Sequence, residues 1–473
     1  MRRQRWATSI ALAAMLAGCG GSGSGGSTAA GTATTVTPTA TTGGCSLVER
    51  QNWAFAQLKE WYLFPDTLPT SLSPAGFVTV DAYVDALTAT ARNQRKDRFF
   101  TYLTSIKGED AYYDAGSSAG FGFRLAYDAS SRLMVAEAFE GASALAAGVD
   151  RGAQILAIGT SASDLRSVAS LSATSSGLTD ALGPDTAGTS RTFQISDAAG
   201  TRTVTLTKSD YALTPVSSRY GAQIITDGGQ KFGYIALRTF INTADPALRS
   251  AFASFKAAGV SNVVVDLRYN GGGLIAVAEG LANLLGGNRS TSDVIDRVTF
   301  RPEKSSNNTV ANFAPQAESV APTRLAFIGT GGTASASEIV INAFTPYLHA
   351  NAALIGTNTY GKPVGQIALD RAACDDRLRV IALAVQNANG VGDYYDGLAT
   401  KVEASCQASD DLSHPLGSPL ESSTRAALDF LEGKSCTRIG ATTGEVRALS
   451  VAQRTLLTPE HPSTAQREVP GLF

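Results

Sequence analysis

The chain has 473 residues and a mass of 49.0 kDa, room for about three domains at ~150 residues each. Lys+Arg 39 against Asp+Glu 41 leaves a net charge of −2, so no global field draws the protein to nucleic acid or to anionic lipid. Charged residues are 17%, below the ~25% of ordinary soluble domains, while 44% hydrophobic content excludes wholesale disorder.

Met1–Trp6 carries three arginines, and Ala7–Ala17 is an apolar run too short to span a bilayer. The ending Leu16-Ala17-Gly18-Cys19 resembles a bacterial lipobox. That resemblance implies a signal peptide over residues 1–18 and a lipid anchor on Cys19. Gly20, rather than Asp, follows the cysteine; by resemblance to the Gram-negative sorting rule this implies the outer membrane, facing the periplasm. Residues 19–44 are mostly Gly, Ser, Thr, Ala and Pro and form a flexible tether. With Cys19 set aside, four cysteines remain, an even number for an oxidising compartment. Of three possible pairings, Cys374–Cys406 with Cys45–Cys436 is the preferred one. Neither the cysteines nor His349, His414 and His461 show metal-ligand spacing, so no metal or cofactor is expected.

Residues 45–105 have near-helical spacing of Trp53, Phe55, Leu58 and Trp61, interrupted by Pro65, Pro69 and Pro74 and resumed at 80–91. They predict a small helical segment. Residues 110–216 read as short strands, at 124–127, 133–138, 154–158 and 203–207, with an alanine-rich helix over 142–147. This stretch resembles a PDZ domain. The resemblance implies that the loop Gly120-Phe121-Gly122-Phe123 offers backbone N–H groups to a peptide carboxylate, and that an extended peptide adds to the neighbouring sheet edge. Residues 217–436 alternate strands and helices, which argues a layered α/β domain with its chemistry at the strand C-termini. Residues 437–473 are largely polar, contain Pro459, Pro462 and Pro470, and are expected to be a peripheral tail.

Three clusters follow predicted strands in the α/β stretch. Asp266–Gly273 ends in three glycines before a helix, where free N–H groups can hold an anion or a developing oxyanion. Thr333-Ala334-Ser335-Ala336-Ser337-Glu338 opens a helix. A serine there can act as a nucleophile, although Ser335-x-x-Glu338 is also a helix-capping box. Tyr360-Gly361-Lys362 with Gln366 follows another strand. Desolvation can lower a lysine into the range of a general base, and Gln366 can orient its amine.

Together these clusters resemble the C-terminal processing peptidases of family S41, which include tail-specific and tricorn-like proteases. The resemblance implies a ClpP/crotonase-like layered α/β catalytic domain behind a PDZ-like domain. It implies Ser335 as nucleophile, Lys362 as base, Gln366 as third member and Glu338 as support. The oxyanion hole falls to Ala336 with Gly271 or Gly272. The Ser335–Lys362 separation is two residues longer than the family register, which suits Ser337 better, but Pro346–Asn351 can absorb the difference. Protein or peptide substrates follow, with the oligomeric state left open. Two competing readings are a lipid-anchored PDZ scaffold that binds peptides without cleaving them, and an anion- or nucleotide-binding enzyme using the triple glycine.

Overall fold

The apolar face around Ala54 and Leu58 winds into the helix Leu47–Trp61. Its start is fixed by a reciprocal cap: the Glu49 N–H donates to Ser46 Oγ, and the Ser46 N–H donates to the Glu49 carboxylate. The prolines break the pattern as expected, and the helix Val80–Leu87 follows. In the computed structural model, which describes residues 43–440 and 455–473, both helices lie on a five-stranded sheet. Its strands run in the order Tyr102–Ser105, Asp376–Gln386, Val294–Phe300, Thr309–Asn312, with Val364–Arg371 also paired to Asp376–Gln386. Leu58, Tyr62 and Val84 are buried against Val364, Leu378 and Ile381. The signal-like segment, Cys19 and the tether as far as residue 42 lie outside the described residues.

The β-rich stretch folds around Phe121, Phe123, Phe193 and Ile155. Strands Phe123–Tyr127, Leu133–Ala138, Gln154–Gly159, Ser190–Asp197 and Gly200–Thr207 form the sheet in that order. Sequence pattern misses Ser190–Asp197, because Phe193 and Ile195 are its only strongly apolar residues. The α/β stretch is built on a six-stranded sheet, in the order Ala222–Asp227, Gln230–Ala236, Asn262–Asp266, Arg324–Gly329, Ala352–Gly356, Ala404–Gln407. The first pair is antiparallel and the rest are parallel. Alternate residues face opposite layers. Val263, Val265, Phe327 and Leu354 meet the helices Ala244–Ala257, Ile275–Leu285 and Ala336–Leu348. Val264, Ala326 and Ile355 meet the helix Ser422–Leu431 on the other face.

Pro346 does not end the helix Ala336–Leu348 but sits inside it. Lacking an N–H, it leaves the Asn342 carbonyl without its helical donor. The Asn387 side chain supplies that donor at 3.2 Å.

Two sequence expectations are corrected. The disulfides are Cys45–Cys374 and Cys406–Cys436, not Cys374–Cys406 and Cys45–Cys436. Cys374 lies in the turn joining Val364–Arg371 to Asp376–Gln386, against which the helix after Cys45 packs; Arg50 and Asp376 form a bidentate ion pair there. Cys406 lies on the edge strand Ala404–Gln407, and Cys436 returns beside it, with the Gln407 N–H donating to the Thr437 carbonyl at 2.7 Å. Spacing alone carries no information about this sheet order. Second, the described end of the tail, residues 464–473, is not peripheral. Val469, Leu472 and Phe473 are 0%, 2% and 4% exposed. The flanking prolines and polar residues hide the few apolar side chains that seat it.

Candidate active site

The three clusters come together because they leave the C-terminal ends of three adjacent parallel strands: Asn262–Asp266, Arg324–Gly329 and Ala352–Gly356. Asn270 knits the first two. Its side-chain amide donates to the Leu237 carbonyl, its Oδ1 accepts the Gly272 N–H, and its carbonyl accepts both the Ala334 N–H and Ser337 Oγ. The Ser337 hydroxyl is thus fully buried and engaged. Ser335 is different. It occupies the N-cap of the helix with φ 55° and ψ −118°, a backbone conformation that non-glycine residues adopt only where the surroundings enforce it. Strain of this kind, on the order of 1–3 kcal/mol, marks residues held for a task. Geometry therefore favours Ser335 over Ser337 as the available hydroxyl.

The second half of the predicted capping box has a larger role than capping. Glu338 is fully buried, and its carboxylate accepts from the Ser335 N–H at 3.0 Å, the Gly361 N–H at 2.8 Å, the Lys362 N–H at 2.7 Å and Thr359 Oγ1 at 2.6 Å. Ser335 and Lys362 donate to the same oxygen, Oε2, so one atom holds the serine turn and the lysine turn together. Burial pushes the Glu338 carboxyl up, and the four donors oppose that shift.

Lys362 Nζ donates to Gln366 Oε1 at 3.0 Å and lies 5.0 Å from the centre of the Phe100 ring. Gln366 is itself fixed, since its Nε2 donates to the Phe100 carbonyl. Desolvation pulls the Lys362 amine below its ordinary value, while the Glu468 carboxylate nearby acts in the opposite sense. Among the described residues the amine's hydrogen-bond partner is Gln366, and no bond to the Ser335 hydroxyl is formed. Of the predicted oxyanion donors, Gly272 has its N–H on Asn270 Oδ1, and the Gly271 N–H donates to the Glu468 carbonyl at 2.9 Å. Ala336 begins the helix beside them; a Cβ on Gly272 would sit 3.3 Å from the Ala336 nitrogen and 2.8 Å from Ser335 Cβ.

In the β-rich stretch the Gly122 and Phe123 N–H groups donate to the Phe473 oxygen at 3.0 and 3.2 Å, while the Phe121 and Phe123 rings are buried in that domain's core. Asn270, Thr359 and Glu468 were not assigned roles by sequence reasoning. The first lies inside a recognised cluster and the second directly precedes one; Glu468 is more than a hundred residues from either and gives no local signal. Among the described residues no group of His, Cys, Asp and Glu is arranged to hold a metal ion.

A serine at a strained helix mouth and a desolvated lysine, on adjacent loops of a parallel sheet, define a layered α/β domain with a serine–lysine constellation. Residues 231–390 match the model of peptidase family S41. The chain is 29% identical over 178 residues to the C-terminal processing peptidase, chloroplastic, of Tetradesmus obliquus, covering 36% of each chain. It is 31% identical over 191 residues to carboxyl-terminal-processing peptidase 2, chloroplastic, of Arabidopsis thaliana, covering 38% of this chain and 33% of that one. The match thus spans about a third of the length of these curated relatives. A crystal structure from Bacteroides fragilis NCTC 9343, assigned to the S41 proteases, shares the fold with a TM-score of 0.62 at 23% identity, over 80% of this chain and 97% of that one.

Proposed function

We propose that the protein is a serine endopeptidase that hydrolyses peptide bonds of cell-envelope proteins or peptides through an acyl-enzyme. The observation that carries this reading is the shared Glu338 oxygen, which holds the Ser335 turn and the Lys362 turn side by side, with the half-buried lysine amine lowered by desolvation. In the mechanism, the neutral Lys362 amine takes the Ser335 hydroxyl proton as Oγ attacks the substrate carbonyl. The oxyanion is held by the N–H groups of Ala336 and Gly271, the latter once the Glu468 carbonyl that it meets in this structure has moved away; that of Gly272 is committed to Asn270 within its own loop. Lys362 then gives its proton to the leaving amine, and water, deprotonated by the same lysine, releases the acyl group. The proposal includes the PDZ-like groove as a peptide-binding site, and Cys19 as a lipid anchor to the outer membrane.

The test is degradation of an unfolded polypeptide such as casein. Ser335→Ala is expected to lose at least ~10³-fold in rate with an unchanged melting curve. Retention of wild-type turnover by Ser335→Ala would refute the assignment. Cys19→Ser is expected to abolish incorporation of radiolabelled palmitate and to release the protein from the membrane fraction.

A further inference from the structure

The strand Phe123–Tyr127 borders the predicted peptide groove, and its outer edge is already taken. Thr455 and Leu456 pair antiparallel with Tyr127 and Ala126, and the Leu457 N–H donates to the Leu125 carbonyl at 3.0 Å. Farther along, the Leu125 N–H donates to the Gly471 carbonyl at 2.8 Å, and Phe473 exchanges hydrogen bonds with Phe123 in both directions. The Gly122 N–H converges on the same Phe473 oxygen. Side chains complete the seat. Phe473 joins the cluster of Phe121, Phe123 and Phe193, and Leu472 packs with Tyr112 and Phe139. This is strand addition with apolar anchors, the way a sheet edge binds an extended peptide.

The same segment reaches the other site. Five residues before Phe473, the Glu468 carbonyl accepts the Gly271 N–H, the donor offered to a substrate oxyanion in the mechanism above. The Glu468 side chain is buried, held by Tyr113 Oη at 3.1 Å, and it faces Lys362. Arg124, on the groove strand, joins the two ends by donating to the Tyr269 carbonyl at 2.5 Å and to the Pro470 carbonyl at 3.3 Å.

We propose that residues 464–473 are an intramolecular ligand that occupies the peptide groove and the glycine loop at once, so that an external polypeptide must displace them to bind. The competing ligand is an extended peptide with an aliphatic residue followed by an aromatic one at the groove end, the chemistry of Leu472-Phe473. A tethered ligand acts at a local concentration on the order of millimolar, so it excludes weaker external peptides without any new contact. The inference rests on the groove's being a peptide site, as proposed above, but not on hydrolysis.

The experiment uses the full chain carrying Ser335→Ala, so no probe is cut. A fluorescein-labelled peptide with the sequence of residues 463–473 is titrated by anisotropy against this protein, and against the same protein with Phe473→Asp or the milder Phe473→Ala. Melting curves establish that each variant is folded. Both tail variants are expected to bind at least tenfold tighter than the parent, Phe473→Asp more than Phe473→Ala. A labelled peptide ending in Asp should bind none of them. Equal affinity for parent and variants would overturn the proposal, as would absence of binding to all three. Casein cleavage, measured separately with Ser335 intact, reports on the peptidase reading, so failure of one is not mistaken for failure of the other.

Discussion

The Glu338 centre and the groove along Phe123–Tyr127 both hold chain segments in place, but by different means. At Glu338 a single side chain collects four donors from two stretches of sequence, and no other residue type has that reach, charge and acceptor capacity. In the groove the hydrogen bonds are between main chains, and side chains enter only as apolar anchors. The first arrangement is specific and hard to displace. The second rests on main-chain pairing and a few apolar anchors, which, on the proposal above, suits exchange of one ligand for another.

The most damaging way to break the first region is to remove the amine that it positions. Lys362→Ala is expected to lower kcat by about 10²–10⁴-fold, the usual contribution of a general base. The pH profile gives the sign. Only the neutral amine takes a proton, and desolvation lowers its pKa from the ordinary 10.5. Activity should therefore rise with pH and level off below that value, and Lys362→Ala should abolish this limb. Glu338→Gln comes next. An amide in place of the carboxylate turns one acceptor into a donor facing the Ser335 and Lys362 N–H groups. A loss of about 1–3 kcal/mol in stability is expected from the unmet donors, with kcat falling more than KM changes.

A matched pair of glycine substitutions sharpens the contrast. Gly272 has φ +127°, and a Cβ there would lie 2.8 Å from Ser335 Cβ. Gly122 has φ +80°, and its Cβ would lie 1.9 Å from that of Ala142. Gly272→Ala should depress turnover far more than it weakens the labelled tail peptide, most of whose hydrogen bonds lie in the groove. Gly122→Ala should weaken that peptide while leaving intrinsic turnover of a short substrate much less affected. If both variants changed both readouts equally, the two regions would not be separable.

The last effect is on stability rather than turnover and concerns a buried carboxylate without Glu338's partners. Asp296 is 1% exposed, and neither of its oxygens has a hydrogen-bond partner among the described residues. Burial, with Glu279 adding repulsion, pushes it up to about 7 from 3.8. A carboxyl with a raised folded-state pKa favours the folded protein in its neutral form. Its ionisation therefore erodes stability progressively as pH climbs from about 4 to 7, by at most about 4 kcal/mol at ~1.4 kcal/mol per unit. Asp296→Asn should raise the melting temperature at pH 8 and leave it unchanged at pH 4. An equal shift at both values would show that ionisation is not the cause.

The same contrast explains what could be read from the sequence. The serine, lysine and glycine clusters were legible because their chemistry demands particular residue types next to strand ends, and Val263–Val265 or Leu325–Ile328 announce those strands by themselves. Glu338 was visible as a cap, but the convergence of Thr359, Gly361 and Lys362 on it depends on the loop after Ala352–Gly356 meeting the helix mouth in space. The disulfide pairing was illegible because it follows sheet order. The tail was missed because main-chain recognition leaves almost no trace in residue type, and a segment with Pro459, Pro462 and Pro470 resembles any exposed end.

The bond between Cys45 and Cys374 has a reach beyond the helix that it fastens. Cys374 closes the hairpin whose first strand, Val364–Arg371, starts just after Lys362 and carries Gln366, the amide that orients the amine. Cutting that tie leaves the Arg50–Asp376 ion pair among the remaining fasteners of the far end of the hairpin, so a reducing environment would be felt at the Lys362 amine. Redox conditions thereby enter the upkeep of a site that contains no sulfur.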